Sequence, residues 1–292
     1  MLYDIGLKIS YDYDLPANTG RHMLRLMPAI LAGEQSVHSM TLDIDPRPEE
    51  RVDRFDFFGN AAVEIAYRWP HKKIVFDLQC QVDRQLPDRS GDASPVLSRL
   101  EAELASVNSL APMSPHHFVG RSPRVRVTPE IDAYAAGFVR EGMTAFEVVQ
   151  VLGEALHRDM SFDPKATTVD TSPEEAFAGK RGVCQDFAHI MIACLRGIGM
   201  PAGYVSGFLR TIPPQGKRRL AGADAMHAWV RVWCGLDAGW VEYDPTNNLL
   251  VADDHIVIAR GRDYSDVSPV KGVMRTAGSQ VSKQAVDVVP IG

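Results

Sequence analysis

The sequence predicts an α+β protein: an N-terminal β-sandwich, then a core in which a helix packs on an antiparallel sheet. Three observations carry that expectation. Residues 1–85 alternate apolar and polar side chains in short runs, the period of half-buried strands. From Thr128 the period turns helical, and the helix starts carry capping residues. Two more alternating runs, 224–233 and 239–244, are separated by a short polar connection and so should be antiparallel neighbours. The expected units are a β-sandwich-like N-terminal domain over 1–85, a linker with one helix over 86–127, and a helix-and-sheet core domain over 128–292.

The N-terminal strands follow from alternation. Ile5, Leu7, Ile9 and Tyr11 interleave with Gly6, Lys8 and Ser10, and similar runs recur at 23–31, 37–44, 52–58, 62–69 and 74–82. Gly59-Asn60 is a hairpin turn between the fourth and fifth. Six short strands at this spacing suggest a sandwich. Charged pairs such as Asp53-Arg54 read as its solvated face.

The linker is punctuated by Pro87, Pro95, Pro112, Pro115 and Pro123, with one helix expected over 96–107. His116-His117, in a Pro/Ser loop without further ligands nearby, read as surface residues rather than a metal site. Beyond it, Thr128-Pro129 places an N-cap before a first-turn proline. Thr144 and Glu147 form a capping box ahead of the stripe Phe146, Val149, Leu152 and Leu156, and Ser172 with Glu175 repeats the signature.

Composition bounds the function classes. The 292 residues are enough for about two domains. Lys and Arg total 31 against 37 Asp and Glu, a net charge of −6 with no basic stripe, so neither a nucleic-acid nor a membrane partner is implied. The first residues have no apolar leader-like run, and no stretch approaches the roughly 18 apolar residues of a membrane span. Four scattered cysteines make no disulfide framework, so a reduced, cytoplasmic protein is expected.

Three segments carry chemistry. In Lys180-Arg181-Gly182-Val183-Cys184-Gln185-Asp186-Phe187-Ala188-His189, the cysteine opens a helix whose apolar residues continue through Phe187, Met191, Cys194, Leu195 and Ile198. Unpaired backbone N–H groups and the positive end of the helix dipole there favour thiolate, and the N–H of Cys184 can serve as an oxyanion donor. Cys194 and Cys234 read as buried hydrophobes. In Asp224-Ala225-Met226-His227-Ala228-Trp229-Val230-Arg231-Val232-Trp233, alternation puts His227, Trp229, Arg231 and Trp233 on one strand face and Ala228, Val230 and Val232 on the other. The third segment, 239–248, ends a strand at Asp244 before Pro245, where a carboxylate can hold an imidazole in one tautomer.

Arg181 to Ala188, Gly199 to Gly207, His227-Ala228-Trp229 and Asp244-Pro245-Thr246 together resemble bacterial transglutaminase-like proteins of the papain-like cysteine fold. The β-rich first part resembles the N-terminal region that often precedes that core in bacteria, and His255 to Val267 resembles the same subgroup's tail. The resemblance implies Cys184 as nucleophile, His227 as general base then acid, and Asp244 as its orienter. It departs from the family in three places. Animal transglutaminases carry an upstream tryptophan as oxyanion donor, whereas no tryptophan stands between Trp69 and Trp229. Phe162 occupies a position where relatives often have tyrosine, and Met226 one where a small polar residue is common. No acidic loops of the calcium-activated enzymes are present, so no calcium is implied.

The implied reaction is cysteine-dependent acyl transfer on amide bonds through a thioester, leaning to hydrolysis over transamidation. The expected partners are a peptide or other amide-bearing substrate and, for transamidation, an amine acceptor. No cofactor and no metal are expected. Gln185, Asp186, Asp224, Met226 and Trp229 flank the motifs and are expected to bind substrate. The alternative is a transglutaminase-fold binding scaffold that has lost its chemistry.

Overall fold

The computed structural model describes residues 1–85, 91–211, 222 and 224–291; Pro87 of the expected linker lies outside them. The first part forms strands β1 (Leu2–Ala17), β2 (Thr19–Leu24), β3 (Gln35–Asp45), β4 (Glu50–Phe55), β5 (Ala61–Tyr67) and β6 (His71–Arg84). Helices α1 (Leu97–Ser106), α2 (Pro129–Ala136) and α3 (Ala145–Asp159) follow, then β7 (Ser161–Phe162), α4 (Pro173–Gly179) and β8 (Arg181–Gly182). The core continues with α5 (Cys184–Gly197), β9 (Ala202–Leu209), β10 (Ala225–Trp233), β11 (Trp240–Asp244), β12 (Leu249–Leu250) and β13 (His255–Gly261). The chain closes with α6 (Tyr264–Val267), β14 (Val270–Arg275) and β15 (Gln280–Ile291).

The sandwich forms as alternation dictates. On β1, Tyr3, Ile5, Leu7 and Ile9 are buried while Asp4 and Lys8 face solvent. Its sheets run β15-β1-β6-β3 and β14-β2-β5-β4, all antiparallel. The β4–β5 turn is tied by Asp56, whose Oδ1 accepts from Phe58 N and Asn60 N, and Gly59 takes φ +80°.

Two elements differ from the sequence reading. The second strand is Thr19–Leu24, not 23–31: the buried apolar run continues through Leu26 and Met27, but Pro28 has no N–H for a ladder. The chain leaves the sheet there, and Ala29 N bonds Val257 O of β13 instead. The last two strands, expected within the 128–292 unit, pair with β1 and β2 and complete the sandwich sheets.

The core is a five-stranded antiparallel sheet in the order β12-β11-β10-β9-β13. Helix α5 packs on one face, and every residue from Gln185 to Arg196 is buried. A helix buried on all sides needs its polar side chains satisfied. Arg196 is: it donates to Ala202 O, Gly120 O, Ser122 Oγ and Arg262 O. Helix starts occur where the caps predict, with full capping boxes at Thr144 and Ser172.

The other face of the core sheet is covered by the sandwich. Val205, Trp229 and Val257 form a separate apolar cluster there, with Ala29, Leu31 and Val251 against it. Gln35 of β3 donates to Val257 O at 2.8 Å and accepts from Val257 N at 2.9 Å, and Asn60 pairs both ways with the backbone of Arg260. These contacts sit at a register break of β13 between Val257 and Ala259.

Candidate active site

Cys184 is the first residue of α5 and is half-buried. Gly182 before it is obligatory, because a Cβ would lie 2.5–2.8 Å from the Asp186 side chain. That carboxylate accepts from Val183 N at 2.8 Å and Thr167 Oγ1 at 2.6 Å, fixing the helix start.

His227 stands near the start of β10, opposite Gly207 of β9. Strands β10 and β11 pair in the register Trp233↔Trp240 to Val230↔Tyr243, closed by Gly235 and Gly239 at positive φ. Continued one rung, this register sets Asp244 opposite Trp229, two residues along β10 from His227 and on the same face. Tyr243 points the other way, toward α3, where only a glycine fits: a Cβ on Gly153 would meet its ring at 2.0 Å.

The imidazole joins the two groups. Its Nε2 lies 2.7 Å from Asp244 Oδ2, and the ring is hydrogen-bonded to Cys184. With Nε2 engaged by the carboxylate, Nδ1 is the nitrogen left for the thiol. Burial alone would lower the His227 pKa. The hydrogen bonds to Asp244 and Cys184, and the charges of both, outweigh it and raise the value from 6.5 to about 10.

Asp244 is fully enclosed. Oδ2 accepts from His227, from Asn247 Nδ2 at 2.7 Å and from His255 Nε2 at 3.1 Å, while Oδ1 accepts from Thr246 N at 3.0 Å and Asn247 N at 3.2 Å. Burial would raise its pKa, but the histidine and asparagine hydrogen bonds hold the carboxyl well below the usual range. Asp244 is thus ionised and accepts only.

Trp229 lies behind this group, its ring centroid 5.1 Å from that of His255, and its Nε1 donates to Glu242 Oε2 at 2.8 Å. Glu242 belongs to a buried charge cluster. Arg260 Nη2 lies 2.6 Å from Glu242 Oε1 and 2.9 Å from Glu34 Oε2, and Arg84 reaches Glu34 at 3.6 Å. The Arg231 guanidinium lies over the Trp240 ring at 4.2 Å. Burial would raise the Glu242 pKa, but the arginine charges and the indole N–H lower it to about 2.

The structure therefore brings Cys184, His227 and Asp244 together. The expected substrate-binding residues fare differently. Trp229 is fully enclosed under the sandwich, and Asp186 is consumed by the α5 start. Asp224 is 5 % exposed and accepts from Thr211 N and Val288 N, tying β15 to the core. None of these three offers surface to a substrate. Gln185 is buried with its amide toward Val169 O, and Met226, half-buried, packs on the core. Phe162 is exposed on β7.

His255 and Asn247 are site residues that sequence reasoning did not assign. Asn247 had a local signal, being three residues past Asp244 in a turn sequence. His255 had none, since a histidine opening an apolar strand reads as core. Among the described residues, His227, Asp244 and His255 are the group whose ligand atoms lie close enough for a metal, all within 4.8 Å. Five hydrogen bonds already fill the Asp244 oxygens, so the geometry is that of a hydrogen-bond network.

Comparison with known proteins gives the family. The Transglutaminase-like superfamily pattern matches residues 132–245, spanning all three groups, and the Bacterial transglutaminase-like N-terminal region matches residues 3–83. Uncharacterized protein Rv2569c of Mycobacterium tuberculosis is 37% identical over 254 residues, covering 85% of this chain and 80% of that protein. The chain belongs to the transglutaminase-like superfamily. A protein-glutamine gamma-glutamyltransferase of Pseudomonas aeruginosa is 34% identical over 84 residues, 28% of this chain and 12% of that one. The crystal structure of a candidate cysteine protease from Cytophaga hutchinsonii superposes with a TM-score of 0.71 at 18% identity, over 99% of this chain and 90% of that one. That likeness establishes the papain-like transglutaminase fold. None of the helices among the described residues is long and apolar enough to cross a membrane.

Proposed function

We propose that this transglutaminase-like protein is a cysteine-dependent amide acyl-transfer enzyme that works through a thioester on Cys184 and favours hydrolysis. The observation that carries the reading is the unbroken chain from Asp244 through His227 to Cys184. With its pKa raised to about 10, His227 rests as imidazolium at neutral pH, where its charge favours the nucleophilic form of the sulfur and its proton is ready for the leaving group.

The thiolate attacks the amide carbonyl. The oxyanion takes a hydrogen bond from the N–H of Cys184, free at the first turn of α5. The imidazolium gives its proton to the leaving nitrogen, the C–N bond breaks and the thioester remains. Neutral His227 then takes a proton from water as it attacks, releasing the acid and restoring the pair. An amine in the same position gives transamidation. The half-buried sulfur leaves the thioester open to water, which supports hydrolysis. The named activity of the Pseudomonas relative makes glutamine-bearing peptides the first substrates to try. The four free thiols, three of them buried, fit the reducing cytoplasm.

The test is to incubate the protein with a library of amide-bearing peptides and search for an acyl adduct on Cys184 by mass spectrometry. The expected result is an adduct in the wild type and none in folded Cys184→Ala, with release of the acid when no amine is added. No adduct, together with Cys184 labelling no faster than an ordinary thiol at pH 6.5, would overturn the reading in favour of a binding scaffold.

A further inference from the structure

We propose that His255 is a positioning residue for the acyl-transfer site, holding Asp244 Oδ2 in line with His227 by a hydrogen bond given from β13. This rests on the acyl-transfer reading of Cys184 and adds a fourth side chain to it.

The donors to Asp244 differ in where they originate. Thr246 N, Asn247 N and Asn247 Nδ2 all belong to the turn that follows Asp244 itself. They fix the carboxylate relative to its own turn, and they move with it. His227 is the group to be aligned. His255 is the remaining donor, and it comes from another element, the first residue of β13. It alone among the five ties the carboxylate to the far side of the sheet.

The bond has a defined polarity. An ionised carboxylate only accepts, so His255 carries a hydrogen on Nε2. Its Nδ1 is buried and has no hydrogen-bond partner, so a hydrogen there would be enclosed without an acceptor. The ring is packed edge-on against Trp229 and is 2 % exposed, which leaves it little freedom. Gly207, opposite both His227 and Val257, makes room for that Trp229 ring, since a Cβ there would lie 2.2 Å from it.

The strand that carries His255 is itself anchored by the sandwich. Tyr3 Oη donates to Asp254 at 2.8 Å, and Arg210 pairs with the same carboxylate at 3.1 Å. Gln35 grips Val257 two residues on. The titratable groups that meet at the site are Cys184 from α5, His227 from β10, Asp244 from β11, His255 from β13 and, near enough to Cys184 to feel its charge, the buried Tyr204 of β9, whose pKa burial pushes well above the usual phenol value. Glu242 stands two residues back on β11, shielded by the Trp229 indole.

Without the bond, Asp244 and its turn can swing together away from His227. The imidazolium then loses part of its support, and Cys184 loses part of the positive charge that favours its nucleophilic form. His255→Phe keeps a ring in the Trp229 niche but removes the donor, and His255→Gln restores an N–H at similar reach. The readout is the rate of iodoacetamide labelling of Cys184 against pH, in the full chain, with Cys184→Ala for background.

His255→Phe should slow labelling at pH 6.5 about tenfold, equivalent to about 1.4 kcal/mol, and move the acid limb of the profile upward by up to about one pH unit. His255→Gln should fall within about threefold of wild type. A folded Phe variant with the wild-type profile, or with its acid limb moved downward, would overturn the proposal. Should that variant not fold, ¹⁵N-imidazole NMR of the wild type decides: His255 must carry its hydrogen on Nε2, and Nδ1–H would refute the bond. If wild-type Cys184 labels no faster than an ordinary thiol while NMR finds the Nε2–H, the acyl-transfer reading fails and the hydrogen bond stands.

Discussion

Asp244→Asn probes the point at which every partner is a donor. The amide that replaces the carboxylate has one oxygen and one NH₂, yet two backbone N–H groups point at one position and two histidines with Asn247 Nδ2 at the other. With the NH₂ toward the backbone, it would face two N–H groups at the present 3.0 and 3.2 Å, leaving donors unsatisfied at about 1–3 kcal/mol each. With the NH₂ toward His227, the imidazole can adapt by becoming an acceptor at Nε2. Backbone amides have no such option, so the second orientation wins. His227 then carries its hydrogen on Nδ1, the nitrogen that should receive the thiol proton, and its imidazolium loses the charge that sustains it. The expected loss is about 10⁴-fold in acyl transfer, the size reported for the same change in a serine triad. The assay is thioester formation on Cys184 with the folded variant verified by its melting transition. Retention of more than a tenth of the wild-type rate would refute the tautomer argument.

Three further predictions read other parts of the structure. Glu242→Gln leaves Arg84, Arg231 and Arg260 with Glu34 as their remaining carboxylate in the cluster, and should cost about 3–5 kcal/mol in denaturant unfolding; a loss under about 1 kcal/mol would show the cluster to be hydrated. Gly207→Ala puts a methyl group 2.2 Å from both Ile256 O and the Trp229 ring, so it should destabilise by about 1–3 kcal/mol and shift the tryptophan emission; an unchanged spectrum and melting point would contradict the packing. The His227 pKa is raised in the fold from 6.5 to about 10, so its stabilising contribution is complete below about 6.5 and disappears as pH climbs through 10. Melting temperature and acyl transfer should fall together over that interval, less so in His227→Gln for the melting temperature; stability that rises from pH 7 to 10 would reverse the sign of the argument.

Much of this was legible because local chemistry and the fold agree. Alternation placed β1 and β3–β6, capping residues placed α2, α3 and α4, and the glycine before Cys184 marked the start of α5. The polar connection between β10 and β11 was enough to bring Asp244 beside His227. What failed needed information that no window contains. Leu24 to Met27 are buried as a strand would be, but the covering of the core sheet, not a ladder, buries the end of that run. The pairing of β14 and β15 with β1 and β2 joins residues more than 240 positions apart, beyond any local pattern. Alternation correctly put Trp229 on the same face as His227. It could not say that the sandwich encloses that face, which is why Trp229 read as pocket and proved to be interior.

That covered face explains why the N-terminal region belongs to the site. A sheet with α5 on one side could leave its other side to solvent, as antiparallel sheets often do. Here that side carries His227, Trp229, Arg231, Glu242 and Asp244, which are polar or charged groups that exposure would leave hydrated and loosely held. Glu34 and Arg84 from the sandwich close the charge cluster, while Gln35 and Asn60 fix β13 by its backbone. Enclosure strengthens each of these bonds by excluding water, and it also makes each unpaired group costly, so the arrangement is stable only as a complete set. The sandwich thus acts on the thiol at a distance: it holds the strand and the carboxylate pairings that keep the imidazole aimed.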